Sequence, residues 1–160
     1  MAVVKIGIGL SLGAQVNGAQ YGPLVAETWI KKFDVMIMQD RSLGNNDYYL
    51  HVVKDVVEKL QTTSQAVLDQ GDFPLVIGGD HALAMGSLPY KEDTLLVWVD
   101  AHGDVNTFDS SITHRIHGMP LAHLMGYGDQ RLLDIINKPY LTPEQIVFVG
   151  VRDLDDAEVA

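Results

Sequence analysis

Short apolar segments recur along the chain and are separated by longer segments of mixed polarity. Five of them are rich in Val, Ile and Leu and have the length of β-strands: Val3–Leu10, Phe33–Gln39, Phe73–Ile77, Thr94–Val99 and Gln145–Val151. Strands that are apolar throughout are typical of a parallel sheet buried on both faces. We therefore predict five strands of a buried parallel sheet.

Between these segments, apolar residues recur at helical spacing. The longest predicted helix runs from about Asp47 to Gln70, with Asn46 as a candidate N-cap and Gly71 as a candidate C-terminal stop. Shorter helices are predicted over Pro23–Lys32, Ala82–Leu88 and Met119–Gly126. Strands that alternate with helices predict an α/β fold with right-handed crossovers. Without a linker or an internal repeat, residues 1–160 are expected to form a single domain.

Composition and charge exclude several classes of function. The formal net charge is −10, and without a run of Lys and Arg the chain offers no surface for nucleic acid or an anionic membrane. Excess carboxylate is compatible with metal ions and with small guanidinium or amine compounds. The chain has no cysteine, which excludes disulfides and thiol catalysis and favours a cytoplasmic location. The apolar segments are also shorter than the roughly 18 residues that a membrane span needs.

Polar clusters follow three of the predicted strands, at the edge where open parallel sheets bind ligands. They are Gly78–His81, Asp100–Asp104 and Arg152–Asp155, and a fourth cluster, His117–Pro120, comes shortly after the second. Five of the six histidines lie between His81 and His123. This concentration of histidine and carboxylate is the main functional signal in the sequence.

The spacing of Asp100, His102 and Asp104 indicates a metal site. If the strand geometry continues, the three side chains project from the same side at intervals of roughly 6.5 Å. A mixed set of oxygen and nitrogen ligands favours manganese, iron or zinc over calcium. The alternative is an edge strand with solvated polar residues. His81 is a further candidate ligand; Asp80 is expected to fix an imidazole by a hydrogen bond or, alternatively, to cap a helix.

His117 stands at a predicted loop–helix junction, before Gly118 and Pro120. An imidazole held there suits proton transfer near pH 7, so His117 is the candidate catalytic residue. The alternative is a histidine whose hydrogen bonds are satisfied by the backbone. His123 has lower priority as a core or surface residue of the following helix.

In chain order, GGDH at 78–81, DAHGD at 100–104, HGMP at 117–120 and VRDLDDAE at 151–158 resemble the ureohydrolase family of arginase and agmatinase. The stretch from DAHGDVNT to IHGMPLA is more similar to the arginase branch. The resemblance implies a three-layer α/β sandwich around a parallel sheet. It also implies that the C-terminal part of this fold is absent from the 160 residues, and that the complete protein is a homo-oligomer.

The same resemblance implies specific roles for individual residues. His81, Asp100, His102 and Asp104 would be four ligands of a two-manganese centre, with Asp100 bridging the ions. A bridging water would attack the guanidinium carbon of arginine to give urea and ornithine, and His117 would shuttle a proton. The implied substrate contacts are Asn106, Thr113, Asp155 and Glu158.

Two departures from the family pattern leave alternatives open. Arginases usually carry Ser-Gly-Asn where this chain has Thr113-His114-Arg115. Arg115 either holds a substrate carboxylate more tightly or obstructs arginine, so another guanidino or amidino substrate is the alternative. Family members are also considerably longer, and their second half completes the metal centre. We therefore expect the 160 residues alone to be inactive, or to form a non-catalytic half-domain that needs a partner chain.

Overall fold

The computed structural model describes residues 1–88, 93–136 and 138–159. The described residues include five strands, one at each predicted segment: β1 Val3–Gly9, β2 Val35–Met38, β3 Phe73–Gly78, β4 Leu96–Val99 and β5 Ile146–Val149. β3 extends one residue beyond the prediction. Every observed pairing between them is parallel. The predicted α/β class is confirmed.

The strands form two sheets in the described part of the chain, where the sequence predicted one. The first has the order β2-β1-β3, and the second consists of β4 and β5. In the first, Ile6 of β1 lies opposite Val35 on one side and Val76 on the other. One edge of β3 and one edge of β4 therefore have no strand partner among the described residues.

Six α-helices are described: α1 Gly22–Ile30, α2 Leu50–Asp69, α3 Ala84–Ser87, α4 Pro120–Leu124, α5 Gln130–Leu133 and α6 Asp156–Val159. Short 3-10 turns connect several of them, including His81–Leu83 before α3 and Ile116–Gly118 before α4. The described helices include none that is both long enough and apolar enough to cross a membrane.

The long helix α2 begins three residues later than predicted. Asp47, Tyr48 and Tyr49 have positive φ angles of 46°, 55° and 65°, a left-handed conformation that cannot continue into a helix. Asn46 is therefore not the N-cap, and that prediction is wrong. At the other end, Gly71 has a φ of 77° and terminates the helix as predicted.

The core lies between α2 and the first sheet. The apolar face of α2 is fully buried, and Ile6 and Ile8 of β1 belong to the same cluster. Full burial of each such side chain contributes about 1.5–3 kcal/mol. This packing fixes the end of β3, from which the first polar cluster extends.

One face of the β4–β5 sheet is exposed. Val97 and Val99 of β4 are 53% and 74% exposed, and Val147 and Val149 lie opposite them, 42% and 46% exposed. Trp98, which points to the other face, is buried. The prediction that both faces are covered is wrong for this sheet within the described residues, because no described element packs on its valine face.

His123 of α4 is fully buried and ties the helix to the loop that follows it. Its Nδ1 lies 2.8 Å from the carbonyl oxygen of Met119, and its Nε2 accepts the backbone N–H of Asp129 at 3.1 Å. Because Nε2 accepts, Nδ1 carries the proton and the ring is neutral. Burial lowers the pKa of His123, against smaller opposing effects of the hydrogen bond to Met119 and the charge of Asp129. Of the two interpretations that the sequence left open for His123, core or surface, the structure supports the core residue.

This arrangement predicts acid sensitivity. In the unfolded chain His123 titrates near about 6.5, whereas in the folded protein its pKa is lower, so below that pH the unfolded state binds more protons. The free energy of unfolding should fall with decreasing pH, by at most about 1.4 kcal/mol per pH unit from this group. Urea denaturation between pH 5 and 8 measures the slope, which His123→Gln should reduce and the exposed control His51→Gln should leave unchanged. Equal slopes for the parent and His123→Gln would contradict the assignment.

Candidate metal centre and the cleft around it

A cleft of about 550 Å³ opens where the chain leaves β3, β4 and β5. It is lined by nine of the ten predicted site residues: His81, Asp100, His102, Asp104, Asn106, Thr113, His117, Asp155 and Glu158. The tenth, Asp80, is buried beneath it. Residues distant in sequence thus share one cavity, as expected for the carboxyl edge of parallel strands.

Three of the four predicted metal ligands converge. His81 Nδ1 lies 3.1 Å from Asp100 Oδ2 and 2.6 Å from Asp104 Oδ2. Their ligand atoms all lie within 4.8 Å of one another, close enough to coordinate one ion. Desolvation raises the pKa of Asp100, but hydrogen bonds from His102 and the charge of His81 outweigh it, so the pKa is lowered. Two carboxylates and one imidazole form a mixed oxygen and nitrogen ligand set that could hold a metal ion.

His102 lies on the other side of Asp100. Its backbone N–H donates to Asp100 Oδ1 at 3.0 Å, and its Nδ1 is 3.2 Å from the same oxygen. The two oxygens of Asp100 therefore contact different imidazoles, those of His81 and His102. A carboxylate placed in this way can join two neighbouring cation positions.

Asp153 is a residue that the sequence analysis did not single out. Its Oδ2 lies 3.5 Å from Nε2 of His102, on the side of the ring away from Asp100. A carboxylate in that position orients an imidazole whose other nitrogen binds a metal. The sequence feature that could have identified Asp153 is its position in the polar cluster after β5, two residues before Asp155.

The backbone conformation that brings Asp100 and Asp104 to the same site differs from the prediction. Strand geometry does not continue to Asp104, because β4 ends at Val99 and Asp104 has a positive φ of 52°. The carbonyl oxygen of Asp104 accepts the N–H groups of Leu121 and Ala122 at the start of α4. These bonds hold the turn, which directs the buried Asp104 carboxylate towards His81.

Asp80 acts on the backbone. Its carboxylate accepts the N–H of Ala82 at 3.0 Å and the N–H of Ala14 at 3.1 Å. It therefore caps the 3-10 turn that begins at His81, which is the alternative that the sequence left open. Burial raises the pKa of Asp80 in spite of these bonds. That Asp80 also fixes an imidazole stays a prediction.

The two histidines of the cleft have opposite pKa shifts. Burial opposes the charged form of His81, but its hydrogen bond to Asp104 and the charges of Asp104 and Asp100 raise its pKa. Burial lowers the pKa of His117, and the nearby Arg115 adds to this effect. The backbone N–H of His117 donates to the carbonyl oxygen of Gly13 at 3.2 Å. His117 is thus anchored by its backbone, while its ring faces the cleft in a mainly neutral form.

One wall of the cleft is acidic. Asn106 Nδ2 donates to Asp155 Oδ2 at 2.8 Å, and Ser110 Oγ donates to Asn106 Oδ1 at 2.7 Å. Asp155 Oδ1 accepts the N–H of Glu158, and Glu158 Oε2 accepts the N–H of Asp155 at 3.2 Å. Asp155 and Glu158 thus cap each other at the start of α6. The bond from Asn106 lowers the pKa of Asp155, which keeps this wall anionic.

Aromatic side chains support the loop at the mouth of the cleft. The ring of His114 lies 4.9 Å from that of Tyr48 and 6.4 Å from that of Phe108, measured between centroids. His114 itself has a positive φ of 52°. The two residues that flank His114 are joined by a hydrogen bond: Thr113 Oγ1 accepts the N–H of Arg115 at 3.4 Å. Tyr48 lies more than fifty residues earlier in the chain, so no local pattern indicated this support.

A model of the arginase family matches residues 2–160. Arginase from Bacillus caldovelox is 34% identical over 175 residues, covering 96% of this chain and 58% of that protein. Arginase from Staphylococcus aureus (strain COL) is 43% identical over 124 residues, covering 75% of this chain and 39% of that protein.

Solved structures give the same result. The crystal structure of arginase from Bacillus cereus superimposes with a TM-score of 0.85 at 33% identity, covering 99% of this chain and 60% of that one. The chain belongs to the arginase family, which confirms the resemblance drawn from its motifs. It spans about 58% of the length of the Bacillus caldovelox arginase.

Proposed function

We propose that this protein is a manganese-dependent hydrolase of a guanidino compound, and that its substrate is L-arginine, which it converts to ornithine and urea. The observation that carries the proposal is the convergence of His81, Asp100 and Asp104 in a cleft of an arginase-family chain. The names of the similar proteins support the substrate class.

The residues present fit one manganese ion and supply two ligands towards a second. His81, Asp100 and Asp104 would hold one ion, and Asp100 and His102 would contribute to the second. Manganese bound here would supply Lewis-acid activation of the water that attacks the guanidinium carbon. Asp153 would keep the ring of His102 in the orientation that its ligand nitrogen requires.

The remaining residues of the cleft would bind the substrate and move a proton. Asn106, Asp155 and Glu158 form a polar, anionic wall suited to the ammonium group of an amino acid. His117, held neutral by burial, can accept a proton at a ring nitrogen and return it to the departing amine. Thr113 offers a hydroxyl at the mouth of the cleft.

The test is urea release from L-arginine by the manganese-loaded protein purified from the cells that make it, with its intact mass measured in parallel. We expect urea and ornithine in equal amounts, and removal of manganese with a chelator should stop their release. A protein that binds manganese but hydrolyses no guanidino compound would contradict the proposal.

A second candidate is a half-domain that becomes catalytic only with a partner chain. The observation that favours it is the exposed valine face of the β4–β5 sheet, together with a match to only 58% of a relative's length. In this case the 160-residue polypeptide would bind manganese weakly and release no urea by itself. Urea release by the 160-residue polypeptide alone would contradict this second candidate.

A further inference from the structure

We propose that Arg115 selects substrates by charge: it binds a carboxylate at the end of the substrate remote from the guanidinium. The cleft would then take a guanidino acid and reject the guanidino amine that lacks the carboxylate. This inference rests on the proposed function, and it decides between the two roles that the sequence left open for Arg115.

Arg115 is an unpaired cation in an otherwise anionic cleft. It lines the cleft beside Thr113 and His117 and is exposed. Across residues 1–88, 93–136 and 138–159, its guanidinium has no hydrogen bond or ion pair. The chain's other three arginines differ in this respect, since each donates from its guanidinium: Arg41 to Asn17, Arg131 to Asp47 and Asp129, and Arg152 to the carbonyl oxygen of Gly150.

The carboxylates of the cleft already have other partners. Asp100 and Asp104 face His81, while Asp155 and Glu158 bond to Asn106 and to the start of α6. None of these contacts involves the guanidinium of Arg115. The guanidinium is therefore available to an anion that enters from outside.

The backbone of Arg115 is fixed although its side chain is free. Its N–H donates to Thr113 Oγ1, and its carbonyl oxygen accepts the N–H of Gly118 at 3.2 Å. The preceding residue, His114, is held by its contact with Tyr48. Because the backbone is already fixed, binding of an anion would order the Arg115 side chain but would not have to order the loop that carries it.

The two walls of the cleft together match a zwitterion. Asp155 and Glu158 attract an ammonium group, whereas Arg115 attracts a carboxylate and can bind it through two parallel N–H donors. A substrate without a carboxylate leaves the Arg115 charge uncompensated beside its own positive charges. The side chain thus favours the acid and disfavours the amine.

The experiment compares kcat/KM for L-arginine and for agmatine, its decarboxylated analogue, in the manganese-loaded protein. In Arg115→Gln we expect the arginine-to-agmatine ratio to fall at least about tenfold, mainly through a higher KM for arginine. Arg115→Lys should keep part of the preference, because it keeps the charge but not the two parallel N–H donors. Arg41→Gln, which removes an exposed cation beside Asn17, should leave the ratio unchanged.

A ratio in Arg115→Gln within about twofold of the parent would overturn the inference, as would a lower KM for arginine, which would show that Arg115 obstructs the cleft. Calorimetric binding of L-ornithine and of 1,4-diaminobutane to the manganese-loaded protein gives a second readout without turnover. The parent should bind ornithine more tightly, and Arg115→Gln should lose this preference; an unchanged preference in Arg115→Gln would also overturn the inference. If neither arginine nor agmatine is hydrolysed while Arg115→Gln still loses the preference for ornithine, the proposed function fails and the charge selection stands.

Discussion

Replacing Asp100 by Asn is expected to weaken manganese binding at least about 100-fold, because loss of a ligand should exceed the 10- to 100-fold effect of losing an outer partner. Each oxygen of Asp100 faces a different imidazole, His81 at 3.1 Å and His102 at 3.2 Å. The neutral amide removes one negative charge and one of the two ligand oxygens. Both cation positions should therefore be affected together, and urea release should be lost with them.

Titration of the metal-free protein with manganese, followed by calorimetry or by the electron paramagnetic resonance of the free ion, measures this loss. Asp109→Asn is the matched control, since Asp109 is an exposed carboxylate in the loop that follows the same strand. Circular dichroism of both variants shows whether the fold is intact. Parent-like manganese affinity in a folded Asp100→Asn protein would disprove its assignment as a shared ligand.

The location of the site followed from two simple features of the sequence. Strands that are apolar throughout predicted a parallel sheet, and the polar clusters after Phe73–Ile77 and Thr94–Val99 then had to lie at its carboxyl edge. The structure brings His81 and Asp100 into contact there. This inference worked because the clusters directly follow buried strands, whose direction limits where the chain can emerge.

The internal geometry of the site depends on contacts between distant residues, which no local sequence pattern indicates. Asp104 meets His81 because its left-handed backbone is held by the start of α4, whereas local spacing suggested a continuing strand. The support of His114 by Tyr48 is another such long-range contact. The late start of α2 has a different cause, because the spacing of apolar residues gives no information on the positive φ angles of residues 47–49.

The exposed face of the β4–β5 sheet shows a further limit of pattern analysis. Val97 and Val99 belong to a segment that is apolar throughout, which predicts burial on both faces. The hydrophobic pattern of this segment shows only that its side chains are apolar. Whether they are covered depends on elements that pack on the sheet, and the described residues supply none on the valine face.

Gly79 links the metal centre to the first sheet through a very close backbone contact. A Cβ atom at this position would lie 1.6 Å from the carbonyl oxygen of Leu10 and 2.7 Å from its carbonyl carbon. The same carbonyl oxygen accepts the N–H of Asp80 at 2.9 Å, so β1 cannot move away without breaking this bond. Asp80 in turn caps the turn that carries His81.

Gly79→Ala should therefore destabilise the protein by more than about 3 kcal/mol, beyond the usual range for overpacking, because the clash is with backbone that cannot change rotamer. The midpoint of urea denaturation should fall accordingly, and manganese affinity should fall in any protein that still folds, since His81 is displaced. Gly118→Ala is the matched control, because a Cβ there meets no atom within 4 Å, and its free energy of unfolding should change by less than about 1 kcal/mol. Equal stability of the two variants would show that β1 and β3 can separate enough to admit a methyl group, and that the close approach at Leu10 does not determine the position of His81.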